Sequence, residues 1–218
     1  MTRLDRVRER RDDSGMSLVE LIVAMGIFSI VIAIFMAGIV TMTRNTVRVQ
    51  VTSDASESVR RVFQRLDKQV RYADAINLPG TGVSGARYVE FRTPETVAAS
   101  GVTTCTQWRW NPATKLVQVR SWAITAGALP AWSTVASNVV VDGSTTTYPF
   151  ELLPATADHP RQSLVMRLLL KSDASAGSVS SESTFVARNS SVDSPGNKDN
   201  NGDGLADTPA CPRANLRP

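Results

Sequence analysis

The chain has 218 residues, 42% of them apolar, and a net charge of +4, enough for one domain-sized core with appendages. That excess is too small to argue for a nucleic-acid partner by itself. The single histidine, His159, precedes Pro160 in a polar stretch, and G-x-S-x-G, H-E-x-x-H and phosphate-cradling glycine loops are all missing, so an enzyme has no supporting constellation.

The first eleven residues carry Arg3, Arg6, Arg8, Arg10 and Arg11, and Gly15 follows. Residues 21–40 then pass without a charge. Twenty apolar residues match the roughly 20 a helix needs to cross a ~30 Å hydrocarbon core. Only Ser29 and two glycines relieve the run, so it is apolar all round and not along one stripe. A secretory signal would have a shorter apolar region, about 7–15 residues, and a small-x-small cleavage site after it. The arginine bias sets the N-terminus in the cytoplasm, against Arg44, Arg48 and Arg60 beyond the run. This predicts a single-pass plasma-membrane protein. Glu20 stands at the lip of the run. A carboxylate within it costs about 2.5–3.5 kcal/mol, so a positively charged partner is expected.

Periodicity continues past the membrane. Val47, Val51, Ala55, Val59, Val62, Leu66 and Val70 recur every three or four residues, with Arg44, Arg48, Arg60, Arg61, Arg65 and Lys68 mostly on other faces. The pattern predicts one helix over about 17–75, its membrane half within 16–43 and its amphipathic half within 44–78. Pro79 and Gly80 stop it.

Beyond Pro79 the texture turns to strands. Residues 86–92 alternate, and 105–111 and 116–122 form a hairpin with Trp108 and Trp110 on one face. Further strands are expected over 136–143, 163–171 and 182–189, although the apolar stretch with Val165, Leu168 and Leu170 would also suit a helix. The stretches 93–104 and the serine-rich segment from Ser172 are read as linkers. Trp108, Trp110 and Trp122 are read as core, with a ligand-stacking platform as the alternative. The predicted fold class is α+β: a long N-terminal helix, its first half spanning a membrane, packed on an antiparallel sheet over 79–190.

The tail, 191–218, contains Asp199, Asn201, Asp203, Gly204 and Asp207 as D-x-N-x-D-G-x-x-D. Hard oxygen ligands at alternate positions before a glycine turn suit calcium, with the Leu205 carbonyl as a further ligand. The twelfth position is Ala210, so the loop is not an EF-hand and looks more like a short thrombospondin-type or dockerin-like loop. The competing reading is a flexible Asp/Asn/Gly tail. Cys105 and Cys211 are either one disulfide, if the region is extracytoplasmic, or two free thiols.

The stretch "SGMSLVELIVAMGIF" resembles the processing signal of type IV prepilins and type II secretion pseudopilins. The resemblance implies a leader over 1–15, cleavage after Gly15 by a prepilin peptidase, and methylation of the new amine at Met16. It assigns Glu20 to assembly, paired with the amine of a neighbouring subunit. It further implies other pilin or pseudopilin subunits as partners, an inner-membrane assembly platform with its ATPase, a pilin-like fold, and an extracytoplasmic or cell-surface filament as the final location. Met16 departs from the usual phenylalanine. Ala37 stands where many major pilins kink at a proline, which favours a minor subunit; the tryptophan hairpin resembles the larger minor pseudopilins of the J or W type. The expected function is a filament subunit for adhesion, DNA uptake or secretion. The rivals are an uncleaved, membrane-anchored, calcium-dependent surface binding protein and a DNA receptor on the filament.

Overall fold

The structure is a computed structural model that describes residues 16–141, 148–171, 177–200, 202, 207–211 and 217–218. Its contacts divide the chain into two compact units, Met1–Val47 and Arg48–Pro218. One helix, α1 (Leu18–Val70), contributes to both. No proline interrupts it. Ser29, Thr41, Thr43 and Thr46 each donate a hydroxyl proton to the carbonyl four residues back, at 2.8–3.0 Å, so even the polar side chains of the apolar stretch are satisfied within the helix.

The helix stops at Val70 and not at 75 as predicted. Tertiary pairing overrides local propensity here. The Asp74 N–H donates to the Arg92 carbonyl at 3.0 Å, and the Asp74 carboxylate holds the Arg92 guanidinium at 2.8 Å. This draws β1 (Ala75–Ile76) into a sheet.

The second unit contains two antiparallel sheets. The first has β1, β2 (Gly80–Thr81), β3 (Arg87–Thr93), β4 (Thr104–Asn111), β5 (Leu116–Ala123) and β6 (Ser133–Ala136), in the order β1-β3-β4-β5-β6 with β2 also on β3. The predicted hairpin is β4–β5, with Trp108 opposite Val119 and Trp110 opposite Val117. Its turn is closed by the Asn111 side chain, which accepts from the Ala113 N–H at 3.0 Å.

The second sheet has β7 (Val139–Val140), β8 (Phe150–Leu153), β9 (Ser163–Lys171) and β10 (Ser178–Val186), with β9 central. Here three expectations are corrected. The strand predicted over 136–143 is two strands in different sheets, because Asn138 adopts φ 59° and turns the chain between them. β8 was not predicted. The serine-rich stretch is no linker from Ser178 onward: it forms β10, whose small side chains tolerate a half-covered edge position.

The core lies between the helix and the sheets. Val59, Val62, Leu66 and Val70 are buried against Val89, Phe91, Trp108, Trp110, Val117 and Val119 of the first sheet and Leu164, Met166, Leu168 and Phe185 of the second. Trp108 donates its indole N–H to Gln69 Oε1 at 2.9 Å, and Trp110 donates to the Val139 carbonyl at 3.1 Å, so each large ring is buried without orphaning its donor. The predicted stripe is buried only from Val59 on; Val47 is exposed and Val51 and Ala55 are half-covered.

Candidate functional site

Two regions carry the residues singled out from the sequence. The first begins at Met16. Every residue from Met16 to Gln50 is exposed, including Leu21, Ile22, Phe28, Ile30, Ile34 and Phe35. By length and composition α1 can cross a membrane, and the window that qualifies has none of its surface buried within the protein. Helix formation satisfies the backbone internally, which is what a hydrocarbon environment demands. An apolar surface this continuous has to be covered by lipid or by other apolar helices.

Glu20 lies one helical turn after Met16, and both are exposed. Ser17 caps the helix, accepting from the Glu20 N–H at 3.3 Å. Ser17 and Glu20 thus occupy the two positions of the S-x-x-E capping box, and an acidic side chain in the first turn also complements the helix dipole. The sequence reading missed this cap, although serine three residues before glutamate at the start of an apolar run is its signature. Gly15 lies outside the described residues.

The second region is the tail, which packs against the outer face of the first sheet. Cys105 and Cys211 are joined, with Cα atoms 5.9 Å apart and 106 residues of separation in sequence. The bridge packs with Trp122, Ala126 and Leu129. Trp122 therefore lies on the opposite face of β5 from Val117 and Val119. Gly196, at φ +82°, lets the tail approach closely: a Cβ there would meet the Ile76 carbonyl oxygen at 2.3 Å. The Ala210 N–H donates to Asn77 Oδ1 at 2.6 Å.

Under the tail runs a polar row that the sequence analysis did not single out. Glu90 is fully buried. It accepts from Gln107 Nε2 at 2.8 Å, from Asn77 Nδ2 at 3.2 Å, and from Arg217 through Nε at 3.0 Å and Nη2 at 2.6 Å. Gln107 Oε1 in turn accepts from Arg120 Nε at 2.8 Å. The Arg120 and Arg109 guanidiniums each lie 4.1 Å from the centroid of the Trp132 ring. Arg87 Nε is buried without a hydrogen-bond partner among the described residues, and burial, with the neighbouring Arg217 charge adding to it, lowers the Arg87 pKa from its ordinary value. On the second sheet Arg167 is held between Glu151 and Glu182, and the hydrogen bond to Glu151 leads in raising its pKa.

Of the predicted calcium ligands, Asn201, Asp203 and Leu205 lie outside the described residues. Asp207 Oδ2 accepts from both the backbone N–H and the side-chain amide of Asn200, at 2.8 and 2.7 Å. Asp199 Oδ1 accepts from the Gly202 N–H at 2.8 Å. The Asp207 N–H donates to the Lys198 carbonyl at 3.2 Å, which brings the described ends of the motif together. Their hard oxygens are of the type calcium takes, but two carboxylates are only part of a ligand set. Among the described residues no group of three His, Cys, Asp or Glu side chains is placed to hold a metal ion.

A family model, the prokaryotic N-terminal methylation motif, matches residues 10–36. This chain carries a prepilin-type processing signal. No curated protein and no solved structure matches the chain significantly. The matched segment contains Gly15, Met16, Ser17, Glu20 and most of the exposed apolar stretch. The motif supports a type IV pilin-like, structural subunit; it implies processing by a prepilin peptidase and assembly with other pilins, and with the apolar helix it supports anchoring in a membrane.

Proposed function

We propose that the protein is a minor subunit of a type IV pilus or pseudopilus, cut between Gly15 and Met16 and assembled through the first half of α1. The observation that carries this reading is the methylation motif lying across the start of an apolar, wholly exposed helix. Cleavage would create a positively charged amine one turn from Glu20. The carboxylate of one subunit and the amine of the next then neutralise each other in a medium that solvates neither. Pilus systems supply the remaining parts: the assembly platform and the ATPase that powers it, for adhesion, DNA uptake or secretion. Support for a minor role comes from Ala37 in place of a kinking proline, within a helix that runs unbroken from Leu18 to Val70. To this reading we add a calcium loop in the tail, supported by the backbone bond from Asp207 to Lys198 that draws Asp199 and Asp207 to the same end.

The decisive experiment is mass spectrometry of the N-terminus after coexpression with a prepilin peptidase. The expected product begins at methylated Met16. A chain that keeps residues 1–15 and still enters filaments overturns the reading and favours the uncleaved, membrane-anchored, calcium-dependent binding protein. In the same system Glu20→Val is expected to abolish incorporation while leaving membrane insertion intact.

A further inference from the structure

The segment 93–104, expected as a linker, forms one wall of a cavity that neither the processing motif nor the core explains. The cavity measures about 560 Å³, within the size range of small-ligand sites. All of its lining belongs to the second unit. From the helix it is lined by Arg65, Lys68 and Gln69, which lie three and four residues apart from Arg65 and so share one helix face. From the segment after β3 it is lined by Val97, Ala98 and Ala99. Successive turns hold these in place. The Val97 and Ala98 N–H groups donate to the Pro94 carbonyl at 3.1 and 2.9 Å, and the Gly101 N–H donates to the Ala98 carbonyl at 2.9 Å.

The long side chains of the helix wall are donors that lack an acceptor. Gln69 Oε1 is taken by the Trp108 indole N–H at 2.9 Å. An indole nitrogen only donates, so this bond assigns the amide oxygen to Trp108 and leaves Gln69 Nε2 as a donor. The acids nearest on the helix, Glu57 and Asp67, are already paired with Arg61 and Arg71. No carboxylate is among the described residues that line the cavity. Among the described residues nothing pairs with the side chains of Arg65 or Lys68, or with Gln69 Nε2. Beside these donors the lining is apolar, with Val97 and the Tyr72 ring both exposed.

We propose that this cavity binds a small organic carboxylate with an apolar body. Charge selects the anion. Two cations stand on one face with no acid to neutralise either, and a carboxylate has lone pairs enough to accept from the Arg65 fork, the Lys68 ammonium and the Gln69 amide together. The apolar wall selects the body. A bare inorganic anion leaves Val97, the alanines and the Tyr72 ring wet, whereas an apolar group attached to the carboxylate covers them and adds its own burial to the affinity. Gln69 links the site to the core, because the Trp108 ring that holds its oxygen is fully buried. An occupant that accepts from Nε2 therefore alters the environment of the Trp108 indole N–H.

The test uses the full chain in non-ionic detergent micelles and follows the Trp108 indole N–H resonance by NMR during titration. The probes are N-acetylleucine, N-acetylphenylalanine and N-acetyltyrosine, each beside its neutral amide, with acetate as the charge-only control. At least one of the acids is expected to shift that resonance to saturation, with its amide and acetate weaker by roughly ten-fold or more. Replacing Arg65 and Lys68 together by glutamine should weaken that acid by roughly ten-fold or more, and should leave the fold intact because both side chains are exposed and unpaired. Arg60→Gln removes a charge from the same helix outside the lining and should leave binding nearly unchanged. Should the double variant not fold, Lys68→Gln alone decides, with a smaller loss in the same direction. No saturable shift from any of the acids, equal binding of acid and amide, unchanged binding in the Lys68 variant, or a loss in Arg60→Gln equal to that of the double variant overturns the proposal. None of these readouts requires cleavage at Gly15 or filament growth, so the ligand site and the filament reading can fail separately.

Discussion

The two stretches of α1 invite comparison, because both carry apolar side chains at helical spacing yet meet opposite fates. From Met16 to Val47 no side chain is buried. From Arg48 to Val70 the helix narrows to a stripe, and Val59, Val62, Leu66 and Val70 vanish into a core while Arg60, Arg61, Arg65 and Lys68 stay outside. A helix apolar on every side has no face to offer water, so its solvent must be lipid or like helices. A helix apolar on one side needs only a sheet. The difference also separates where function and stability reside. The first stretch holds the motif and contributes nothing to the core, and the second holds no motif and contributes much of it.

Substitutions sharpen that contrast. The largest expected effect lies in the second unit. Replacing Cys105 and Cys211 together by serine, which opens a loop spanning 106 residues of separation, should cost about 4–5 kcal/mol in chemical denaturation followed by tryptophan fluorescence. Leu66→Ala, at a fully buried position, should cost about 3–4 kcal/mol by the same measurement, through lost transfer energy and a residual cavity. Glu90→Gln should cost about 2–3 kcal/mol, because it leaves Arg217 and Gln107 facing a neutral group in a buried row. Ser17→Ala should remove about 1 kcal/mol of helix capping, read as faster amide exchange in the first turn, with the denaturation midpoint of the second unit unchanged. Ile27→Ala, fully within the exposed stretch, should leave that midpoint unmoved. A shift with Ile27→Ala comparable to that of Leu66→Ala would break the comparison, because it would mean that the apolar stretch supports the core after all.

The parts legible in the sequence were those with a local cause. A period of three to four between valines gave the helix and its buried stripe, alternation gave β3, paired runs around a proline turn gave β4 and β5, and an apolar run that a helix could also use gave β9. The processing signal was legible for the same reason: charge, glycine, glutamate and apolar length are all contained in some 30 residues. The errors share one cause as well. The helix end at Val70, the division of one predicted strand between two sheets at Asn138, and the pairing of serine-rich β10 all depend on partners distant in the chain. Arg92 decides the first, and β9 decides the last.

The sequence by itself determined that the chain has an apolar helix fit for lipid, a processing motif at its head and an antiparallel domain behind it, because each follows from hydrophobic period or contiguous residue types. Only the tertiary structure decided that Cys105 meets Cys211, that Glu90, Gln107 and Arg120 form a buried row beneath a folded-back tail, and that the serine-rich stretch from Ser178 pairs with β9. Those facts depend on which distant segments come to lie against one another, and a buried carboxylate looks like a surface one until the segment that covers it is seen.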